Sequence, residues 1–223
     1  MFFAIIPAYN EEKNIGSVIR SLFAHVDRIV VVDDGSTDGT ADAARSAGAV
    51  VLRHAINRGQ GAALETGHAY ARAHEAQYVL HFDADGQFDP VDIRPALAAL
   101  QESGADILFG SRFLGKHSNI PWMKRHLLFP LARLVNRMSG GVALTDGHNG
   151  FRILNRHALE TIHITQDKMA HATEIAVAAK RAGLRAMEFP VSVVYREYGQ
   201  GVRGGITIVK DLFFGKWIHS QKS

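Results

Sequence analysis

The sequence predicts an α/β fold, a mostly parallel central sheet flanked by helices. Two observations carry that expectation. Short apolar runs alternate with helix-like stretches through the first half of the chain, and polar clusters stand directly after several of those runs. Strands that alternate with helices favour parallel pairing, because a parallel connection has to cross back over the sheet.

In chain order, Phe2–Ile6 is expected as the first strand and Glu11–Ala24 as the helix behind it, with Asn10 as N-cap. Strand Arg28–Val32, helix Thr40–Ser46 and strand Val50–Arg53 repeat the alternation, and helix Gly61–Ala73 and strand Tyr78–Phe82 extend it. Helix Pro90–Gln101 has Asp89 as N-cap and a proline at its first position, where a missing N–H is no loss. Strand Ile107–Phe109 closes the regular part.

Beyond it the pattern changes. Lys124–Met138 sets Leu127, Leu131, Leu134, Val135 and Met138 on one helical face, with Arg125, Arg133 and Arg137 opposite and a kink at Pro130. Strand-like Phe151–Leu154, a helix near Ala172–Ala182 and an extended run Ala186–Tyr195 follow. The tail GGITIVKDLFFGKWIH is apolar nearly all round if helical, and too short to span a bilayer.

Composition narrows the classes. The 223 residues suit one domain, and 47% hydrophobic with 21% charged residues is ordinary for a soluble globular chain. No cysteine is present, which excludes disulfides, zinc thiolate sites and thiol nucleophiles and fits a reducing compartment. The N-terminus MFFAIIPAYNEE has no basic leader region, and no apolar run approaches the ~20 residues a spanning helix needs. A net charge of +3 does not imply nucleic acid. Its distribution implies an anionic partner: from Ile107 to Thr145 there is no Asp or Glu, but there are six Lys or Arg.

In parallel sheets ligands bind outside the carboxyl ends of the strands. The polar clusters fall there: Pro7, Tyr9, Asn10 and Glu11 after the first strand, Asp33 to Ser36 after the second, Asp83 and Asp85 after the fourth. Asp83-Ala-Asp85 on extended backbone puts both carboxylates on one face. They repel unless a cation or proton lies between them, and Mg²⁺ or Mn²⁺ with a diphosphate satisfies that need, Gln87 adding an oxygen. A solvated turn capping the next helix is the plain alternative. An EF-hand is excluded, because Phe88 and Arg94 stand where its glycine and glutamate belong. A haloacid-dehalogenase-type phosphatase carries its Asp-x-Asp on the first strand, not the fourth. Asp34 could accept an imide N–H of a nucleotide base, or merely cap a helix. The glycines of NRGQGAALETG suit close approach of either a ligand or a packing partner. A dinucleotide dehydrogenase is disfavoured, since the first strand leads to PAYNEE and not to a glycine fingerprint.

The ordered set IPAYNEEKNIGSVI, VVVDDGSTDGT, NRGQGAA, DADGQFDP, GSRF, TDGHNGFR and PVSVVYREYG, from Phe3 to about Gly201, resembles family-2 glycosyltransferases of the GT-A fold. Within them it most resembles dolichyl-phosphate mannose synthases and bacterial polyprenyl-phosphate hexosyltransferases. That resemblance implies one catalytic domain over residues 1–223, with a nucleotide-sugar half over 1–110, an acceptor half over 111–200 and an apolar, basic tail over 201–223. It implies an inverting, metal-dependent hexosyltransferase using a GDP- or UDP-linked sugar, at the cytoplasmic face of the membrane. Pro7, Tyr9, Glu11 and Asp34 would line the nucleotide pocket, and Asp83, Asp85 and Gln87 would hold Mg²⁺ or Mn²⁺ and the diphosphate. Arg112 and Arg125 would meet the acceptor phosphate, while Arg196 and Arg203 would close over the donor. The pattern departs from the family at His148-Asn149, where a serine is usual before Gly150, and at Gly201-Val202-Arg203, where a Ser-Lys pair is missing.

Two acceptor classes follow. A polyprenyl phosphate is already an oxyanion and needs no base, whereas a sugar hydroxyl would need one, with Asp146 as the candidate. Asp146 could instead fix its loop or its arginines. The 124–138 helix and the tail suit a membrane surface, a homodimer contact or packing on the sheet, and a membrane-embedded partner would supply the missing anchor. A non-catalytic nucleotide-sugar sensor is disfavoured by the carboxylate pair and the acceptor-side arginines together.

Overall fold

The computed structural model describes residues 1–114, 142, 144–167 and 170–193. The expected helix 124–138, the tail, and Arg125, Arg196 and Arg203 lie outside the described residues. The elements run β1 (Phe2–Ala8), α1 (Glu12–Leu22), β2 (Arg28–Asp33), α2 (Thr40–Ser46), β3 (Val50–Arg53), α3 (Gln60–Ala73) and β4 (Tyr78–His81). A 3-10 turn (Pro90–Asp92), α4 (Ile93–Ser103), β5 (Ile107–Ser111), β6 (Arg152–Asn155), α5 (Arg156–Thr161), α6 (His171–Arg181) and β7 (Ala186–Pro190) complete them.

The seven strands form one sheet in the order β3-β2-β1-β4-β6-β5-β7. Every pairing is parallel except the two made by β6, which runs antiparallel between β4 and β5. The mixed but mostly parallel α/β sheet therefore matches the expected class.

Strand residues alternate between two cores because side-chain direction repeats every two positions. Ile6, Val31, Leu80, Leu108 and Ile153 face a layer formed by α1, α2 and α4. Ile5, Val30, Val79, Phe109 and Leu154 face α3, α5 and α6. Being covered on both sides is what makes the strands read as nearly continuous apolar runs. It also leaves the strand ends as the natural place for polar groups.

Three local expectations are corrected. Asn10 is not the cap of α1: Glu11 holds that position, without a side-chain cap bond. Asn10 takes a left-handed φ of 55°, which asparagine tolerates better than most residues. Its Oδ1 accepts from Thr37 N at 2.9 Å, tying the end of β1 to the loop after β2. Asp89 does cap, accepting from Val91 N at 3.0 Å, but it opens the 3-10 turn and α4 begins only at Ile93. Helix α5 was not expected; Asn155 caps it by accepting from Ala158 N at 2.8 Å.

The glycines of α3 serve packing. A β-carbon on Gly67 would lie 2.3 Å from Ile5 Cγ2, so the helix seats directly on β1. Helix propensity alone would make Gly67→Ala stabilising by about 1 kcal/mol. Overpacking a fully buried contact costs about 1–3 kcal/mol, so the substitution is expected to lower the denaturation midpoint in urea, net destabilising. A raised midpoint would show that α3 can lift off β1.

Candidate active site

Strands β2, β1 and β4 are neighbours and parallel, so their carboxyl ends meet at one edge of the sheet. A cleft of about 410 Å³ opens there, a volume suited to a small ligand. Pro7, Ala8, Tyr9 and Glu11 form one wall, and Asp34, Asn57, Gly59 and Gln60 form another. Asp83, Ala84 and Asp85 form its floor at the tip of β4. The structure thus brings Pro7, Tyr9, Glu11, Asp34, Asp83 and Asp85 to one cleft. Gln87 is exposed just beyond the lining residues.

The loops are stitched together by polar side chains. Asn10 N donates to Ser36 Oγ at 2.9 Å, and Glu11 N donates to Thr40 Oγ1 at 2.8 Å. Asp34, only 3% exposed, holds the loop before α3: its carboxylate accepts from Arg58 N at 2.9 Å and Gly59 N at 2.6 Å. His54 Nδ1 lies 2.7 Å from the same carboxylate and its Nε2 lies 2.9 Å from Thr66 Oγ1. Gly59 sits at φ 104°, a conformation that disfavours any side chain there.

Asp83 and Asp85 behave differently. Asp83 accepts one bond, from Gln60 Nε2 at 3.0 Å, and Asp85 Oδ1 accepts from Gln87 N at 3.0 Å across the turn at Gly86. Burial, and then the neighbouring charge of Asp85, push the Asp83 carboxyl up from 3.8 to about 6. The charges of Arg152 and Arg112 and the Gln60 bond oppose that rise. This pair is short of positive charge, which is what a divalent cation supplies. Among the described residues no three His, Cys, Asp or Glu side chains converge as a metal site. The oxygen donors of Asp83 and Asp85 are of the kind that would hold Mg²⁺ or Mn²⁺ by one or two carboxylates, ligand phosphates and waters completing the shell.

Arg112 and Asp146 form the adjoining feature. Arg112 follows β5, and its Nε and Nη2 donate to the two Asp146 oxygens at 2.7 and 2.8 Å. Arg112 N adds a bond at 3.1 Å, as does Asn149 Nδ2 at 3.1 Å. Asp146 is 5% exposed, so this is a fork-to-fork pair in a largely dry setting.

Sequence reasoning missed Gln60, His54 and Arg152. Arg152 is 1% exposed on β6, opposite His81 of β4. Burial lowers it to about 10, while the charges of Asp83 and Asp146 act against that fall. An arginine opening an apolar strand was the signal available. Beneath the site, His68 and His81 are buried with their Nε2 atoms 2.7 Å apart. Burial lowers both, His68 to about 3.

The carboxylate pair at the tip of β4, beside the cleft at the carboxyl edge of a mostly parallel sheet, marks the candidate site of an α/β fold. The comparisons with known proteins give the family. Residues 3–163 match the family described as Glycosyl transferase family 2. The UDP-N-acetylglucosamine–dolichyl-phosphate N-acetylglucosaminyltransferase of Methanococcus voltae is 28% identical, over 96% of this chain and 94% of that protein. The polyprenol monophosphomannose synthase of Mycolicibacterium smegmatis is 30% identical, over 94% of this chain and 83% of that protein. Among solved structures, glucosyl-3-phosphoglycerate synthase from Mycobacterium tuberculosis, in complex with Mn²⁺ and UDP-glucose, superposes with a TM-score of 0.67. It is 21% identical and covers 96% of this chain and 76% of that one. The chain belongs to glycosyl transferase family 2 and is a glycosyltransferase.

The Asp83 shift fixes a pH signature for the metal-free protein. Its folded value lies above the unfolded one, so its ionisation opposes folding: the penalty is absent below about pH 4, grows up to about pH 6 and is then constant. In chelator, Asp83→Asn is expected to raise the melting temperature at about pH 7.5, with the gain shrinking toward about pH 4.5. Calorimetry at both values checks it; an equal gain at each would remove the electrostatic cause.

Proposed function

We propose that this glycosyltransferase moves a hexose from a nucleotide-diphosphate sugar to a polyprenyl phosphate, with inversion at the anomeric carbon and with Mg²⁺ or Mn²⁺. The observation that carries the reading is the juxtaposition of the under-compensated Asp83/Asp85 pair with an arginine, Arg112, held by a buried carboxylate. One binds the cation of a leaving diphosphate. The other offers a fixed cation to an acceptor phosphate. Relatives named for dolichyl-phosphate and polyprenol monophosphate chemistry support the acceptor class.

Pro7 and Tyr9 hold the nucleoside against the wall, with Asp34 presenting its carboxylate to the base. Three of the roughly four acceptor positions of that carboxylate are filled internally, which leaves one for an N–H of uracil or guanine. Asp83, Asp85 and Gln87 hold the metal, which when bound supplies charge that stabilises the departing diphosphate. Arg112 lowers the repulsion that an acceptor oxyanion meets on approaching the donor. An acceptor phosphate oxygen then bonds to the anomeric carbon as the bond to the diphosphate oxygen breaks, its electron pair leaving with the nucleotide. No proton has to be removed. Arg125 would add to the acceptor side, and Arg196 and Arg203 to the donor side.

Attack by a sugar hydroxyl with Asp146 as base is the second reading. Against it stands the fork with Arg112, which commits both Asp146 oxygens. Asp146 is better read as the residue that orients Arg112. Among the described residues no helix is long and apolar enough to cross a membrane.

A panel of GDP- and UDP-sugars, assayed for nucleotide release with and without polyprenyl phosphate, tests the reaction. Release that does not depend on the lipid phosphate would overturn the acceptor. Asp85→Ala is expected to abolish metal-dependent transfer, and turnover that persists in chelator would remove the cation. Asp146→Asn is expected to raise the acceptor KM about tenfold with a smaller change in kcat, because the fork that orients Arg112 is broken. A fall in kcat of about 10³-fold or more, with the acidic limb of the pH profile lost, would instead make Asp146 the base.

A further inference from the structure

Gly150 lies in the loop that leads into β6, and its backbone packs onto the Asp83 carboxylate. A β-carbon placed on Gly150 would fall 2.1 Å from Asp83 Oδ2, 2.7 Å from its Cγ and 2.8 Å from its Oδ1. All three are well inside contact distance. The backbone itself does not call for glycine, since Gly150 is not among the residues with positive φ. What requires the missing side chain is the carboxylate lying against it.

The carboxylate is held from other sides as well. Gln60 Nε2 holds Oδ1 at 3.0 Å, and the charge of the fully buried Arg152 acts on it from β6. Phe151, next to Gly150, is fully buried, and Asn149 is 4% exposed and bonded to Asp146. Asn149 Oδ1 in turn accepts from Phe151 N at 2.9 Å, bracing the loop from within. Gly150 is therefore backed by a loop that cannot retreat without breaking the seat of Arg112.

We propose that Gly150 is a positioning residue whose bare backbone sets the direction of the Asp83 carboxylate at the cleft. Gln60 fixes the same carboxylate through Oδ1. Any side chain at Gly150 turns Asp83 off its bond to Gln60 and out of register with Asp85. The effect on the cation rests on the metal reading given above; the steric contact does not.

The test uses the full chain and four proteins: wild type, Gly150→Ala, Asp83→Ala and the double variant. Each is melted thermally and titrated with MnCl₂ by electron paramagnetic resonance. Gly150→Ala is expected to weaken Mn²⁺ binding about tenfold or more and to lower the melting temperature. In the Asp83→Ala background, where the clash is gone, it is expected to leave the melting temperature unchanged. An unaltered Mn²⁺ affinity in Gly150→Ala, or an equal thermal loss in both backgrounds, overturns the proposal. Should Gly150→Ala fail to fold, the double variant recovers folding if the contact with Asp83 is the cause, and its failure to fold overturns the proposal. A wild-type chain that binds no Mn²⁺ sinks the cation reading alone, and the melting cycle still decides the contact.

Discussion

The structure turns on one unresolved electrostatic problem, the charge of Asp83 at the tip of β4. A carboxylate placed where two apolar layers end loses solvation, and a second carboxylate two residues on makes its ionisation harder still. The protein answers only in part, with one hydrogen bond from Gln60 and the charges of Arg152 and Arg112. Full compensation would make the pair inert. Partial compensation keeps Asp83 in place while leaving its charge short of positive partners, which is the condition the proposed cation would meet.

Set beside it, Asp34 and Asp146 show what a carboxylate employed mostly from within looks like. Asp34 gathers two backbone N–H groups and His54, and so fixes the wall of the cleft before α3. Asp146 gathers Arg112 three times and Asn149 once, and so fixes the arginine at the end of β5. The hydrogen-bond inventory separates the two kinds. Carboxylates with most of their acceptor positions filled from within fix the loops around the cleft, whereas Asp83 and Asp85, with one bond each, line it with most positions unfilled.

Much of this was legible in the sequence, for a physical reason. Alternating elements imply parallel strands, parallel strands share a carboxyl edge, and polar residues after β1, β2 and β4 must then lie together. Helix Thr40–Ser46 and strand Val50–Arg53 match the expectation residue for residue. The short helix α5 was not legible, since six residues give too little periodicity, and its only clue was Asn155 as a cap. Gln60 and Gly150 were not legible as neighbours of Asp83. Their roles arise from contacts between segments far apart in the chain, and no local pattern encodes which carboxylate a distant glycine will touch. Nor could spacing distinguish Asp146 as a partner of Arg112 from Asp146 as a base, because both uses need the same residue type.

The reversed strand explains how those distant contacts arise. Parallel strands deliver only their carboxyl ends to the edge where the cleft opens. Strand β6 runs the other way between β4 and β5, pairing Arg152 with His81 on one side and with Phe109 on the other. It therefore delivers its amino end, and with it the preceding residues Asp146 to Phe151, to that same edge. Had β6 been parallel, this loop would sit at the opposite end of the sheet, and neither Gly150 nor Asp146 could reach the tips of β4 and β5. Inserting one antiparallel strand thus places a braced loop between the two halves of the site, touching Asp83 on one flank and Arg112 on the other. The spacing between the Asp83/Asp85 pair and Arg112 is then set by the pairing of β6 with β4 and β5.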